Sequence, residues 1–215
     1  SVTGVQTCAL PILTVSGDAS LVLSGLESDT LTSVTTTTTG TVTSSIDGTK
    51  ATYTGGAGVD NVTLVTTTAL TKAIDLGAGN DTLTFNAAVA SSTATLSGGA
   101  GTDTLAMTVA NADSLDVLAQ TLYTNFEKLT LTDAAGDSDD TEDTVTINLA
   151  NLGLATYVTS NGTILDTTTA AKSDILALTN MSTGGTLQIV AAAAGANTEH
   201  TVSITNAATT ENDTF

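Results

Sequence analysis

A glycine-rich motif recurs three times at nearly constant spacing, and this repeat constrains the fold more than any other feature. The copies are GGAGVDNVTL from Gly55, LGAGNDTLTF from Leu76 and GGAGTDTLAM from Gly98, and their aspartates recur at intervals of 21 and 22 residues. An interval of about 21 residues accommodates two short strands and two turns. The repeat therefore predicts stacked coils of a parallel β-roll or β-helix.

Apolar and polar residues alternate around each copy, as they do in strands with one buried face. This alternation predicts three inward-facing columns, formed by Val62, Leu83 and Leu105, by Leu64, Phe85 and Met107, and by Tyr53, Ile74 and Leu96. Lys72 departs from the pattern, because the same alternation would turn it inward unless the chain bends there. Antiparallel hairpins are the alternative, but they would reverse the strand direction about every ten residues, whereas turn and column keep one order in every repeat.

Segments outside the repeats carry weaker signals of the same kind. LTVSGDASLVLSG and LTSVTTTTTGTVTSS alternate without the glycine motif and predict earlier coils. For Thr35–Thr39 we expect an outward polar ladder, with a flexible or glycosylated stretch as the alternative. ADSLDVLAQTLY has apolar residues at helical spacing behind a possible cap at Asp113, which predicts one short helix near residues 113–123.

Strand-like segments resume at Phe126 and form a C-terminal β region, either a continued solenoid or a separate sandwich. The acidic run of residues 137–143 is the expected internal boundary. The predicted organisation is all-β with four parts: residues 1–12, 13–110, 111–136 and 137–215.

Residues 1–12 lack the Thr-, Gly- and Asp-rich composition of the rest of the chain and contain the single Cys and the single Pro. They resemble the translation of a commonly used DNA sequencing adapter, so we interpret them as foreign; a genuine strand with a buried Cys8 is the alternative. Without them no disulfide is available. The chain has no starting Met or signal peptide and stops in mid-pattern at ENDTF, as expected for an internal fragment of a longer protein.

The chain is strongly acidic, with four lysines, no arginine and 22 acidic residues giving a net charge of -18. This charge argues against nucleic acid and anionic membranes as partners. It favours bound cations, or alternatively a solvated acidic surface. The longest apolar patch, around Ile189–Ala196, is too short to cross a membrane, so no transmembrane segment is expected.

The glycine hexads have the chemistry of a calcium site. Glycine can curl main-chain carbonyl oxygens around one point, and the aspartate adds a charged oxygen. Ca²⁺ takes six to eight oxygen ligands of these types. The predicted metal residues are Gly55, Gly56, Gly58 and Asp60, then Gly77, Gly79 and Asp81, then Gly98, Gly99, Gly101 and Asp103.

Stacking would align the three aspartates at about the 4.8 Å spacing of paired strands. Adjacent carboxylates would then repel by on the order of 3 kcal/mol at an effective dielectric constant near 20. An intervening divalent ion would reverse the sign. The alternative is plain glycine turns with solvated aspartates.

The hexads resemble the GGxGxDxUx nonapeptides of repeats-in-toxin (RTX) proteins, which form calcium-binding β-rolls. The first and third copies match fully, while the middle copy has Leu76 in place of the first glycine. The resemblance implies calcium between the turns of adjacent coils, and thus about two ions for three turns. RTX coils of about 18 residues carry hexads on both sides. Here the opposite side, around residues 66–71 and 87–92, lacks them, so one ion column is expected.

The Thr-rich and Ala-rich texture is similar to that of calcium-dependent bacterial surface-layer proteins and giant RTX adhesins. That similarity implies a structural module of a secreted bacterial surface-layer or cell-surface protein. Its partners would be further copies of itself or cell-surface polysaccharide. Export would follow the type I route, with a C-terminal signal outside this fragment. The alternative is the calcium-folded repeat region of an RTX adhesin or of a secreted hydrolase.

The inventory of catalytic side chains predicts no enzyme. The one histidine, His200, lies in a strand-like segment and is expected at the surface, and no arginine is present to stabilise developing negative charge. The only cysteine belongs to the segment interpreted as foreign. Paired carboxylates within residues 137–143 are the remaining option for catalysis, but such acidic runs are usually solvated loops.

Overall fold

The computed structural model describes residues 11–24, 26, 30–65, 68–85, 92–115, 119–136, 143–152, 156–163, 174–190 and 200–204. All strand pairs in these ranges are parallel. The predicted parallel all-β architecture is therefore confirmed, and the antiparallel alternative is wrong.

The strands are short, as expected for coils that turn twice within about 21 residues. In chain order they are β1 (Ile12–Val15), β2 (Leu21–Leu23), β3 (Ser33–Thr36), β4 (Val42–Ile46), β5 (Thr52–Thr54), β6 (Asp60–Leu64), β7 (Ile74–Asp75), β8 (Ala78–Gly79), β9 (Thr82–Phe85), β10 (Leu96–Ser97), β11 (Ala100–Gly101), β12 (Thr104–Met107), β13 (Tyr123–Thr124), β14 (Lys128–Leu131), β15 (Thr144–Asn148), β16 (Tyr157–Ser160), β17 (Ile175–Met181), β18 (Thr186–Ile189) and β19 (His200–Ile204).

Two long sheets run along the stack of coils. One has six strands in the order β1-β3-β5-β7-β10-β13, and the other has eight in the order β18-β16-β14-β12-β9-β6-β4-β2. Each of the first six coils contributes one strand to each sheet, and the glycine hexads form turns between the two sheets. A small two-stranded sheet, β8 with β11, joins the second and third of these turns.

The core between the two sheets includes the predicted apolar columns. All nine residues assigned to these columns are buried, with Phe85 the most exposed at 4%. β-Branched residues favour the strands, and the alternation places one face of each strand inside. Lys72 is half-buried at a bend, where its N–H donates to the Gly48 carbonyl at 3.0 Å. Because the chain bends here, the strand alternation does not turn the Lys72 side chain into the core.

The N-terminal segments form the expected earlier coils, since β1 to β4 belong to the two long sheets. The threonine run differs from the expected outward ladder in part. Thr36 and Thr38 are buried, whereas Thr37 and Thr39 are exposed. Buried and exposed threonines alternate within the run, so Thr36 and Thr38 turn inward. Of residues 1–12, only Pro11 and Ile12 lie in the described ranges.

The helical segment begins earlier than its sequence suggests. Helix α1 spans Val109–Asp113 and helix α2 spans Ala119–Leu122. Thr108, in an extended conformation, caps α1 by accepting the Asn111 N–H on its hydroxyl at 3.2 Å. Asp113 as the cap is therefore wrong, because Thr108 already satisfies the first turn five residues upstream.

The C-terminal strands continue the parallel pairing. β14, β16 and β18 extend the eight-stranded sheet, while β15, β17 and β19 form a separate parallel sheet of three strands. A short 3₁₀ helix, Leu149–Leu152, follows β15. Continued coils are thus favoured over a sandwich of antiparallel strands. In the described ranges, no helix is both long enough and apolar enough to span a membrane.

Candidate functional site

The three repeated aspartates lie one above another in consecutive coils. Strands β6, β9 and β12 pair with Asn61 opposite Thr82 and Thr82 opposite Thr104, which places the preceding aspartates in register. The side chains of Asp60, Asp81 and Asp103 are buried, each with 1% or less of its surface exposed. The predicted file of carboxylates is therefore present, and its members face the interior.

The carboxylates of Asp81 and Asp103 are each held by the main chain of the coil before them. The Asp60 N–H donates to Asp81 Oδ1 at 2.7 Å, and the Asp81 N–H donates to Asp103 Oδ1 at 2.8 Å. We term this contact a carboxylate staple: a carboxylate that accepts the N–H of the aligned residue in the preceding coil. A staple supplies a charge-assisted hydrogen bond at a corner of the coil.

Each of the two stapled carboxylates has one oxygen that is not used in the staple. Asp81 Oδ2 and Asp103 Oδ2 are buried and accept no hydrogen bond from the described residues. Asp60 differs, because Oδ1 accepts the Tyr53 hydroxyl at 2.5 Å and Oδ2 accepts the Gly56 N–H at 3.3 Å. Buried polar atoms without a partner are rare in folded proteins and point to an additional proton, water or ion.

Burial raises the pKa of the three aspartates. Desolvation raises the pKa of Asp81 to about 7, with the negative charges of Asp103 and Asp60 adding to the effect and the stapled N–H opposing it. Desolvation also raises the pKa of Asp60 and of Asp103. A carboxylate with such a pKa is poised to bind either a proton or a cation near neutral pH.

The eleven predicted metal residues all lie in the three stacked turns, and the glycines allow the turns to approach closely. Gly99 and Gly101 have φ values of +97° and +146°. A Cβ on either residue would collide with the carbonyl oxygen of the aligned glycine in the preceding turn, Gly77 or Gly79. Side chains at these positions would therefore force the coils apart.

The second and third turns share a conformation that the first does not. Gly77 and Gly79 have positive φ values like Gly99 and Gly101, whereas the glycines of the first turn do not. The middle copy, despite its leucine, is thus the structural match of the third. The main chain also links the turns, since Gly77 O accepts the Ala100 N–H at 2.8 Å.

Two of the glycines lie against both a carboxylate oxygen and a main-chain carbonyl oxygen. The point where a Cβ on Gly55 would stand lies 2.8 Å from Asp60 Oδ2 and closer still to the carbonyl oxygen of Leu76 in the next coil. The corresponding point on Gly98 lies 2.9 Å from Asp103 Oδ2 and closer still to the carbonyl oxygen of Asn125. Carboxylate and carbonyl oxygens in one place are the donor set that Ca²⁺ prefers, so these residues fit that ion.

One acidic residue of the file escaped sequence reasoning. The Asp103 N–H donates to Glu127 Oε2 at 2.7 Å, so Glu127, which lies in the next coil, forms a staple to Asp103. Its turn, Asn125–Glu127, has no glycine, and the interval from Asp103 is 24 residues. The available signals were an asparagine, which tolerates positive φ, and an acid two residues after it.

Two further staples lie outside the glycine turns. The Val109 N–H donates to Asp133 Oδ1 at 2.7 Å, and the Asp143 N–H donates to Asp174 Oδ1 at 2.9 Å. Val109 begins helix α1, so Asp133 also caps a helix. The staple is therefore a general device of this chain and is not confined to the repeat.

In the described parts of the chain, no three acidic, histidine or cysteine side chains converge closely enough to enclose a metal ion by themselves. The acidic run of residues 137–142 and the side chain of His200 lie outside what the structure describes. Comparison with protein-family models, with curated proteins and with solved structures found no significant match.

Proposed function

We propose that this chain is a calcium-stabilised structural module of a secreted bacterial surface-layer or cell-surface protein. The observation that carries the proposal is the buried file of carboxylates, in which Asp81 and Asp103 each keep one oxygen without a partner among the described residues. Buried charges that are neither paired nor coordinated are costly, so such a file requires protons or cations.

Calcium suits the donor set better than magnesium does. Carboxylate oxygens come from successive coils, and carbonyl oxygens of Leu76 and Asn125 lie beside two of them. No single coil supplies enough side chains, so ligands would come from neighbouring turns, from main-chain oxygens and from water. Ca²⁺ accepts six to eight oxygens in flexible geometry, whereas Mg²⁺ requires a stricter octahedron. Bound calcium would supply positive charge that cancels the repulsion within the file.

A structural role follows from how the site would act on the fold. Asp60, Asp81, Asp103 and Glu127 belong to four consecutive coils, so cations among them would lock neighbouring coils together. A net charge of -18 adds a general demand for cations. The resemblance of the hexads to RTX nonapeptides supports the same interpretation. The partners would be further copies of the chain or cell-surface polysaccharide.

The test is thermal unfolding of the full chain, followed by circular dichroism, with Ca²⁺, with Mg²⁺ and with chelator. At tenfold the dissociation constant each ion adds about 1.4 kcal/mol, so two ions should raise Tm by about 5–10 °C. Mg²⁺ should have a much smaller effect. An identical Tm in calcium and in chelator would refute the proposal.

Two aspartates of one coil provide a matched pair of variants. Asp81→Asn keeps an acceptor for the Asp60 N–H but removes the buried charge, and it should lower the calcium response while stabilising the metal-free protein. Asp75→Asn is the control, because Asp75 is exposed and its carboxylate accepts the Gly77 N–H of its own turn, at 3.1 Å. Equal calcium responses in the two variants would place the ions elsewhere.

Electron microscopy of the full chain tests the surface-layer role. A regular array that assembles in calcium and disperses in chelator supports a lattice protein. Isolated rods under both conditions favour the adhesin or carrier alternative.

A further inference from the structure

In the first and third hexads, an aspartate oxygen lies near a main-chain carbonyl oxygen of the following coil. After the third hexad, that following coil lacks the glycine motif. The Gly98 N–H donates to the Thr124 carbonyl at 3.0 Å, which aligns Gly98 with Asn125. Asn125 has a φ of +58°, so an asparagine adopts the left-handed conformation that glycine usually supplies. The chain therefore turns at this corner without glycine.

Glutamate replaces aspartate in this turn for a geometric reason. Six residues, Gly98–Asp103, separate β10 from β12, but only three, Asn125–Glu127, separate β13 from β14. The shorter turn requires a longer acid to reach the file, and glutamate has one more methylene. Its reach is sufficient, because Glu127 Oε2 accepts the Asp103 N–H at the same 2.7 Å as in the Asp60 to Asp81 staple.

The oxygens beside this staple are more available than those at the other end of the file. Asp103 is fully buried, and its Oδ2 accepts no hydrogen bond from the described residues. At the first turn the equivalent atom, Asp60 Oδ2, already accepts the Gly56 N–H. Asp103 Oδ2 and the Asn125 carbonyl oxygen both lie within 3 Å of the point where a Cβ on Gly98 would stand. The unpartnered carboxylate oxygen and the carbonyl oxygen of the next coil therefore lie close to one point, where the two coils are in contact.

No cationic side chain that the structure describes is paired with Glu127. Lys128 follows it directly, but its Nζ lies 5.7 Å from the centre of the Tyr157 ring, on the outer face of the sheet. Asp103 and Glu127 thus bring two carboxylates to adjoining coils, with one oxygen unpartnered and a main-chain carbonyl beside it.

We infer that the Asn125–Glu127 turn completes a further calcium site with Asp103, beyond those implied by the three hexads. Its ligands are Asp103 Oδ2, the main-chain oxygen of Asn125 and the carboxylate of Glu127. This inference rests on the proposed calcium binding and extends the ion column by one coil. The column then ends where the sequence motif is no longer recognisable.

Calcium stoichiometry of the full chain tests the inference, measured by isothermal titration calorimetry on chelator-treated protein. Glu127→Gln keeps an acceptor for the Asp103 N–H and removes the charge, so it should bind one Ca²⁺ fewer per chain while its metal-free Tm stays the same or rises. Glu127→Ala removes both, so it should also bind one fewer and should have a lower metal-free Tm. Asp133→Asn is the control, because Asp133 forms a staple outside the glycine turns; its stoichiometry should equal that of the wild type.

The possible failures are distinguishable. If Glu127→Gln binds as many ions as the wild type with unchanged affinity, Glu127 is only a staple and the inference is wrong, while a loss of binding in Asp81→Asn would still support the proposed function. If the wild type binds no calcium at millimolar concentrations, both are wrong. A lower metal-free Tm in Glu127→Ala, without a change in stoichiometry, would also overturn the inference.

Discussion

The carboxylate file and the isolated staples use one hydrogen bond in two different settings. In the file, Asp81 and Asp103 are buried, and each keeps an oxygen without a partner among the described residues. Of the two isolated staples, Asp133 is exposed and its carboxylate caps the first residue of α1, whereas Asp174 is buried. The staple alone is therefore a device for joining coils. Burial in the stacked glycine turns, together with a carboxylate oxygen that has no partner among the described residues, is what makes a staple a candidate cation site.

The surroundings of the glycines also differ between the file and the isolated staples. A Cβ on Gly98 would contact both Asp103 Oδ2 and the carbonyl oxygen of Asn125, so a carboxylate oxygen and a main-chain oxygen lie near the same position. Beside Asp174, the three atoms nearest to a Cβ on Gly136 all belong to the Asp174 side chain. Gly136 makes room for the carboxylate itself. The turn at Gly98, by contrast, combines a carboxylate with a main-chain oxygen from the next coil.

The largest expected effect tests whether the turns must stack closely. In Gly101→Ala, the new Cβ would collide with the Gly79 carbonyl oxygen at a φ of +146°, so we expect a loss of about 3–5 kcal/mol in the free energy of unfolding. Gly184→Ala is the control: φ is +78°, no atom lies within 4 Å of its Cβ position, and the cost should be about 1 kcal/mol. Urea unfolding in calcium measures both. Equal losses would mean that the close approach of turns contributes nothing.

The pH dependence of the metal-free protein should reveal the buried file. Because the folded pKa of Asp81 is about 7 and the unfolded value is 3.8, the folded state binds the proton more tightly. The resulting stability is complete below about pH 4 and is lost as the pH rises through about 7, by on the order of a few kcal/mol. Tm in chelator should fall across this range, and Asp81→Asn should flatten the fall. A Tm that rises from pH 4 to pH 8 would contradict the burial of charge in the file.

Two buried tyrosines sharpen the contrast between satisfied and unsatisfied polar groups. The Tyr53 hydroxyl donates to Asp60, whereas the buried Tyr123 hydroxyl has no partner among the described residues. Tyr53→Phe should cost about 2 kcal/mol, because it removes a hydrogen bond to a carboxylate. Tyr123→Phe should be neutral or slightly stabilising. Urea unfolding in calcium again provides the measurement, and a larger cost for Tyr123→Phe would show that its hydroxyl has a partner.

The repeat alone predicted the stack and the file, because both depend on strictly periodic features. Val62, Leu83 and Leu105 recur at fixed positions after the aspartates, and stacking then aligns the aspartates themselves. The direction of the carboxylates was not predictable. Spacing places the aspartates in a column but does not reveal that Asp81 and Asp103 accept the N–H of the aligned aspartate in the preceding coil.

The parts that sequence missed lie where the period breaks. Glu127 stands in a turn of three residues in place of six, so neither the motif nor the interval identifies it. Asp113 looked like a helix cap, but Thr108 lies closer to the end of β12, and its hydroxyl accepts the Asn111 N–H in the first turn of α1. In both places local geometry, set by the length of a turn, decides which of several suitable residues is used.

The smallest expected effect isolates the staple from any cation. Asp133→Ala removes the acceptor of the Val109 N–H, while Thr108 still caps α1 through the Asn111 N–H, so the loss should be about 1 kcal/mol. Asp133→Asn should restore most of this loss, since an amide oxygen can accept the same bond. Thermal unfolding in calcium and in chelator should give the same difference from the wild type, because no ion is involved. A loss that appears only in calcium would make Asp133 a cation ligand and would remove the distinction between the file and the isolated staples.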